Sequence, residues 1–202
     1  HYFNWSNSGF EFSFTGTGAE ATLHSNNPDS TNTAYIVVYV DGKKTQTIPL
    51  NFTKQNVVLA TGLSNEKHTI KVIKRTNGRS STAGLSYLWL ENDGVKETPP
   101  AASCRKMLMI GDSITVGYGT LGNSSTTAWS TATEDGTITY AAKTADYFSA
   151  ENQTIAISGR GIVRNTDQST TLLMPEIVQW VDYNEQTAYD FGQYTPDVIV
   201  IN

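Results

Sequence analysis

Cysteine is almost absent from this sequence of 202 residues, since Cys104 is the single one. One thiol excludes both an intrachain disulfide framework and a zinc site built on cysteines. Histidine is also scarce, because the chain holds three, His1, His24 and His68, all in its first half. The length is nevertheless sufficient for one large domain or two small ones with cores of their own.

Charge is scarce as well. Charged residues make up 16% of the chain, the net charge is −5 and the isoelectric point is about 5.1. Basic residues do not cluster beyond segment 71–75, whose alternation predicts one solvated strand face. We therefore expect neither nucleic acid nor an anionic membrane surface as a partner. No apolar run reaches the length of a transmembrane helix, so no membrane span is expected.

The first 92 residues are predicted to form an all-β domain. Segment 10–14 alternates apolar and polar residues, as a strand with one buried face does. Segment 34–40 is rich in β-branched and aromatic residues and ends in Asp41-Gly42, a strong hairpin signal. Similar runs follow at short intervals, at 19–24, 45–50, 56–60, 68–75 and 84–90. This spacing is typical of a β-sandwich or jelly roll.

A linker is predicted at 93–105, because Pro99 and Pro100 cannot join a sheet ladder. Over 106–202 the pattern changes to strands that alternate with helices. The strands are predicted at 107–110, 154–157 and 198–201, and the helices at 140–148 and 172–181. Such alternation predicts βαβ units and a parallel sheet, and therefore an α/β domain.

The third predicted strand stops one residue before Asn202, where the sequence ends. A three-stranded parallel sheet would leave an apolar edge without a partner, which folded proteins avoid. We therefore expect the natural polypeptide to continue and the α/β domain to be incomplete in this chain.

Ser113 is the candidate nucleophile. It stands in Gly111-Asp112-Ser113, directly after the apolar run 107–110. Open α/β sheets bind their ligands at the carboxyl ends of strands, which is where this serine would lie. Its own backbone N–H would be the first donor to an oxyanion. The alternative is an exposed serine in an ordinary turn.

Gly159 is the candidate for the second oxyanion donor. It follows the second predicted strand and would share the sheet edge with Ser113. Glycine allows a backbone N–H to approach a substrate oxygen closely. Gly161 is the competing assignment, and glycines that merely bend the chain after a strand are the other alternative.

Gly111-Asp112-Ser113-Ile114 and Ile157-Ser158-Gly159 resemble the first two blocks of the SGNH hydrolases, the GDSL esterase family. Segments 35–42, 68–76, 110–119 and 158–165, together with the proline linker, are similar to carbohydrate esterase family 2 over nearly the whole chain. The resemblance implies a jelly-roll domain packed on an SGNH hydrolase domain with a flavodoxin-like sheet. It also implies a secreted enzyme that removes O-acetyl groups from plant-wall polysaccharides such as xylan and glucomannan, without metal or other cofactor.

The resemblance further implies a histidine base in an Asp-x-x-His segment and an oxyanion asparagine in a Gly-x-Asn-Asp motif. No histidine of this chain stands in such a segment, and Asn202 is not followed by that motif. Both residues are therefore expected beyond Asn202, on a C-terminal segment that would complete the site.

Tyr118 and Trp129 flank the loop after the serine and are predicted to stack on a sugar ring, with core packing as the alternative for Trp129. Glu134-Asp135-Gly136 is interpreted as turn chemistry rather than as an acid pair.

Two rival functions stay open. A lipid-acting GDSL esterase would need a long apolar acyl pocket, whereas segment 117–136 is mostly polar. A carbohydrate-binding protein with an inactive hydrolase half would bind polysaccharide without turnover.

Overall fold

The computed structural model describes residues 1–29, 31–184 and 186–202. The first half of the chain forms nine strands: β1 (Tyr2–Phe3), β2 (Gly9–Gly16), β3 (Ala19–Ser25), β4 (Tyr35–Val40), β5 (Lys43–Pro49), β6 (Gln55–Ala60), β7 (Glu66–Lys74), β8 (Ala83–Leu90) and β9 (Val95–Glu97). They build two sheets, one of order β1-β8-β3-β6 and one of order β5-β4-β7-β2-β9. All their pairings are antiparallel.

A single hydrophobic core lies between these sheets. Leu23 of β3 and Ile70 and Val72 of β7 come from opposite sheets and belong to the same buried cluster. Burial alternates along the strands, because successive side chains point to opposite faces. The all-β organisation predicted for the first part of the chain is thus confirmed.

The predicted linker is shorter in the structure. Strand β9 lies inside the predicted linker 93–105 and pairs with β2, so that Ser13 faces Glu97. Strand β2 provides the hydrogen-bonding partner for this segment, and the local sequence gives no sign of that pairing. The connection without strand or helix is 98–105.

Residues 106–202 contain a three-stranded parallel sheet, as the strand–helix alternation predicted. Strand β10 (Lys106–Gly111) lies between β11 (Glu151–Ala156) and β12 (Val198–Ile201). The helices are α1 (Ser113–Val116), α2 (Tyr140–Tyr147) and α3 (Met174–Ile177). Met107 and Met109 of β10 pack against α2 on one face, and Leu108 packs with α3 on the other. Because both faces are covered, the strand needs successive apolar residues.

The helix predicted at 172–181 is wrong in extent. Helix α3 covers a single turn, with Pro175 near its start. Leu172 has a φ of +54°, which an α-helix cannot contain. On the other side, Trp180 forms an antiparallel bridge with Ala188. The apolar spacing reflects a buried turn rather than a long helix.

The N-terminal segment joins the sandwich to the parallel sheet. Trp5 is buried in the same cluster as Leu108 and Ile155. Two residues later, Asn7 Nδ2 donates a hydrogen bond of 3.1 Å to Thr154 Oγ1. The core of the α/β unit is therefore completed by a residue from the segment between β1 and β2.

Strand β12 forms one edge of the parallel sheet. Its residues Val198, Ile199 and Ile201 are exposed. The Asn202 amide donates to the Ile110 carbonyl oxygen at 3.0 Å, so the ladder reaches the last residue. Within the described ranges, no helix has both the length and the apolar character that a membrane crossing requires.

Candidate active site

Ser113 begins helix α1 directly beyond the carboxyl end of the central strand β10. The Asp112 carboxylate caps this helix by accepting a hydrogen bond of 2.9 Å from the Ile114 amide. Ser113 itself is half-buried. Neither its hydroxyl nor its amide has a hydrogen-bond partner among the described residues. Both groups are therefore available to a substrate.

Two glycines allow this tight strand–helix turn. A side chain at position 111 would overlap Thr115 Oγ1, so the strand can approach the helix this closely only because residue 111 is glycine. Gly117 ends the helix with a φ of +78°, and a side chain there would overlap the Asp135 carbonyl oxygen. Backbone geometry thus holds Ser113 in place from both sides.

Gly159 lies beside Ser113, as the parallel order of the strands predicted. It follows β11, the neighbour of β10, and has a φ of +81°. Its amide has no partner in the part of the chain that the structure describes. A side chain here would lie 2.8 Å from Thr166 Oγ1. Ser113 and Gly159 line one cavity of about 290 Å³, together with Arg79, Tyr118, Ser158 and Thr166.

Gly161 is engaged elsewhere. Its amide donates a hydrogen bond of 3.1 Å to Asn165 Oδ1, and a side chain at this position would overlap the Arg164 carbonyl oxygen. It is not among the residues that line the Ser113 cavity. The competing assignment of the second oxyanion donor to Gly161 therefore finds no support, and the geometry favours Gly159.

Tyr118 and Trp129 stack on one another at the rim of this cavity. Their ring centroids are 5.6 Å apart and the ring planes are inclined by 5°. Both line a second cavity of about 480 Å³, which shares Arg79, Tyr118 and Ser158 with the first. Trp129 is half-buried, so it is not a residue of the hydrophobic core. The two cavities form one cleft with an aromatic wall.

The β-sandwich contributes the opposite side of this cleft, through the loop between β7 and β8. Asn77 Nδ2 donates a hydrogen bond of 2.9 Å to Ser158 Oγ. The Arg79 amide donates to Asn77 Oδ1 at 3.0 Å, and Arg79 Nη1 lies 3.5 Å from the Ser158 carbonyl oxygen. The loop that carries Gly159 is therefore held by the other domain. Sequence reasoning missed both residues, because Asn-Gly-Arg between strands carries only a turn signal.

Glu134, interpreted from the sequence as a turn residue, is fully buried. Its Oε2 accepts a hydrogen bond of 3.1 Å from Trp129 Nε1, and its Oε1 accepts one from the Asn77 amide. Burial raises the pKa of this carboxyl group, while these donors and Lys74 act in the opposite direction. Glu134 thereby fixes the aromatic wall to the sandwich loop.

Lys74 and Arg75 contradict the solvated face predicted for segment 71–75. Lys74 is fully buried on the same strand face as Ile70 and Val72. Its Nζ donates to the carbonyl oxygens of Thr76 at 2.6 Å and Asn77 at 3.1 Å, and burial lowers its pKa. Lys74 thereby holds the β7–β8 loop in place, and its charge interacts with Glu134 of the other domain.

Asp135 and Arg75 form the second charged contact of this interface. Asp135 is buried; its Oδ2 lies 3.7 Å from Arg75 Nη1, and its Oδ1 caps the Thr137 amide at 2.9 Å. Arg75 Nη2 also donates to the Ala132 carbonyl oxygen at 2.8 Å. The Glu134-Asp135 pair is thus part of the domain interface rather than a solvent-exposed turn.

The three histidines lie away from Ser113. His68 is bound to Asp41, with 2.7 Å between Nδ1 and Oδ2. His1 and His24 line a separate shallow pocket with Tyr2. None of them lines the cleft. The described residues also contain no group of three or more metal-binding side chains.

Comparison with known proteins extends this description. Residues 1–100 match the family model described as carbohydrate esterase 2 N-terminal. Over 199 residues the chain is 31% identical to the cellulase/esterase CelE of Acetivibrio thermocellus. Its fold superimposes with a TM-score of 0.93 and 29% identity on a family two carbohydrate esterase from Clostridium thermocellum, solved in complex with cellohexaose. This chain belongs to carbohydrate esterase family 2.

A second relative is similar over a comparable length of the chain. The acetylxylan esterase / glucomannan deacetylase of Cellvibrio japonicus is 28% identical over 192 residues. The chain spans 24% of CelE, 51% of the Cellvibrio protein and 60% of the Clostridium structure, while these matches cover 98%, 92% and 100% of the chain. The family resemblance seen in the sequence is thereby confirmed.

Proposed function

We propose that this chain carries the nucleophile of a serine esterase that removes O-acetyl groups from plant cell-wall polysaccharides such as xylan and glucomannan. The observation that carries the proposal is that Ser113 and Gly159 line one cavity, while the Ser113 hydroxyl and the amides of both residues have no hydrogen-bond partner among the described residues. Such a group supplies a nucleophile next to oxyanion donors. A polymeric substrate of this kind also implies that the protein works outside the cell.

The reaction follows from these groups. Ser113 Oγ attacks the acetyl carbonyl carbon, and the amides of Ser113 and Gly159 donate to the oxygen that becomes negative. The sugar oxygen leaves with a proton, and water then hydrolyses the acetyl-enzyme to acetate. A histidine outside residues 1–202 would transfer the protons, and an asparagine outside them would add a third oxyanion donor.

The walls of the cleft favour a short acyl group on a sugar. The described residues that line the Ser113 cavity are Arg79, Ser113, Tyr118, Ser158, Gly159 and Thr166, and none of them is a valine, leucine, isoleucine or methionine of the kind that lines a long apolar acyl pocket. Tyr118 and Trp129 offer the sugar side a flat aromatic wall. A lipid-acting esterase is therefore disfavoured.

Fluorophosphonate labelling and acetate release from acetylated xylan and glucomannan test the proposal in the full-length polypeptide. Ser113→Ala should abolish labelling and lower acetate release by at least about 10³-fold, because the nucleophile is lost. The matched control is Ser124→Ala, an exposed serine of the following loop that does not line the cleft. Unchanged acetate release by Ser113→Ala would refute the assignment.

The rival functions give different outcomes in the same assays. A lipid-acting enzyme would hydrolyse octanoyl nitrophenyl ester faster than the acetyl ester. A carbohydrate-binding protein with an inactive hydrolase half would retain polysaccharide on a column or in a gel without releasing acetate. We expect hydrolysis of the acetyl ester to be the faster reaction.

A further inference from the structure

Arg79 is the one charged side chain among the described residues that line the cleft. The remaining lining residues are the uncharged Asn27, Asn32, Asn77, Ser80, Ser113, Tyr118, Trp129, Ser158, Gly159 and Thr166. Arg79 lines both cavities, so it lies where the aromatic wall meets the serine. The chain as a whole has a net charge of −5. A cation in this cleft is therefore opposite in sign to the protein around it.

The guanidinium group of Arg79 is largely free of partners. Its one hydrogen bond is a long contact of 3.5 Å from Nη1 to the Ser158 carbonyl oxygen. No carboxylate of the described residues lies within ion-pair distance of it. The Asp167 carboxylate interacts electrostatically with Arg79 without forming an ion pair, and it accepts hydrogen bonds of 2.9 Å and 2.6 Å from the Ser169 amide and hydroxyl. Most of the five N–H donors of Arg79 thus remain for a ligand.

Its position in the cleft is nevertheless defined. The Arg79 amide is bound to Asn77 Oδ1, and Asn77 in turn donates to Ser158 Oγ. Nη1 lies 3.9 Å from the place that a side-chain carbon on Gly159 would occupy. A group bound by Arg79 would therefore sit within one sugar residue of an acetyl group held at Ser113.

An unpaired guanidinium favours one chemical class of ligand. Its planar array of donors matches a carboxylate, which it binds with two parallel hydrogen bonds. Carboxylates occur in polysaccharides as uronic acid residues. We propose that Arg79 binds the carboxylate of a uronic acid next to the acetylated sugar, so that the preferred substrates are acetylated polysaccharides that contain uronic acid. This inference rests on the proposed esterase function and narrows its substrates.

Kinetics on matched substrates test this inference in the full-length polypeptide. The substrates are acetylated glucuronoxylan and the same xylan after enzymatic removal of its uronic acid branches, with acetylated homogalacturonan as a polymer whose backbone is uronate. We expect kcat/KM to be about tenfold higher on the intact glucuronoxylan, through a lower KM, because one charged hydrogen-bonded pair is made. Faster hydrolysis of homogalacturonan than of glucuronoxylan would place the bound carboxylate on the polysaccharide backbone, whereas the opposite order would place it on a branch. A wild-type enzyme without preference between the two xylans would overturn the inference.

Substitutions assign the preference to Arg79. Arg79→Gln should reduce the ratio of the two kcat/KM values to about one, and Arg79→Lys should leave an intermediate ratio, since lysine keeps the charge without the planar array. Arg164→Gln is the control, because it removes the same charge from a nearby exposed residue that does not line the cleft. Should Arg79→Gln lower the activity on both xylans equally, the residue only positions the Ser158–Gly159 loop, and the inference is wrong.

A binding measurement separates this inference from the esterase proposal. The Ser113→Ala variant, which cannot turn over substrate, is titrated with an acidic xylo-oligosaccharide and with neutral xylotetraose. Tighter binding of the acidic sugar that disappears with Arg79→Gln and weakens in 0.5 M salt supports the inference, even if the wild-type protein releases no acetate. Equal binding of both sugars contradicts it, whatever the esterase activity.

Discussion

Replacing Glu134 with glutamine should lower the stability of the protein by about 2 kcal/mol. The carboxylate receives two N–H donors, the Asn77 amide and Trp129 Nε1, one on each oxygen. Glutamine has a similar shape but one acceptor oxygen and one NH₂ group. One of the two donors must then face another donor, and a buried donor without a partner costs about 1–3 kcal/mol.

Urea denaturation at neutral pH measures this change. We expect a lower midpoint with an unchanged m value, and a decrease of about 4–8 °C in melting temperature for a chain of this size. Glu66→Gln is the control, since Glu66 is exposed and its substitution should stay within about 0.5 kcal/mol.

A double-mutant cycle makes the reasoning specific. In Trp129→Phe the indole donor is gone, so the single oxygen of a glutamine at position 134 can serve Asn77 and no donor is left unpaired. Glu134→Gln should therefore cost about 1–2 kcal/mol less in the Trp129→Phe background than in the wild type. An equal cost in both backgrounds, or a cost below about 0.5 kcal/mol in the wild type, would refute the role assigned to this hydrogen-bond network.

Two further predictions concern the oxyanion loop and the sandwich. Gly159→Ala should lower acetate release at least about tenfold by shifting the amide, because Gly159 has a φ of +81° and Thr166 lies close. The control is Gly62→Ala, in an open turn with a φ of +69°, which should leave activity unchanged. Equal activities of the two variants would contradict the role of Gly159. The second change is His68→Asn. The hydrogen bond to Asp41, then that to the Ser64 carbonyl oxygen, raises the pKa of His68 above 6.5, so this histidine stabilises the fold fully below pH 6.5 and its contribution is lost as the pH rises through the raised pKa. Thermal unfolding should therefore show a larger deficit of the variant at pH 5.5 than at pH 8.5, and a constant deficit would count against the ion pair.

Most strands of both domains could be located from the sequence because their signal is local, whereas the short strands β1 and β9 were missed. The alternation at 10–14 indicates a strand with one buried face, and the apolar run at 107–110 indicates a strand buried on both faces. The positions of Ser113 and Gly159 followed from this, since the carboxyl ends of neighbouring parallel strands share one sheet edge.

The errors lie where one domain covers the other. One face of segment 71–75 was expected to be solvated; Lys71 is exposed, yet Lys74 and Arg75 are buried at the domain contact. Glu134 and Asp135 were interpreted as turn residues. They are interface residues only because Asn77 and Arg75 of the sandwich contact them. The two-residue repeat of a strand shows which side chains lie on the same face, but not which part of the protein packs against that face.

By itself, the sequence determined the family, the positions of most strands along the chain, and the serine and glycine that meet at the edge of a parallel sheet, because each of these signals lies in short segments of neighbouring residues. Only the tertiary structure decided which residues form the two sides of the cleft. One side carries Asn77 and Arg79 and the other carries Tyr118 and Trp129, and these two pairs are far apart along the chain. They meet because the two domains bury charged and apolar surface against one another. No stretch of sequence encodes such a contact, which exists only once both surfaces are folded.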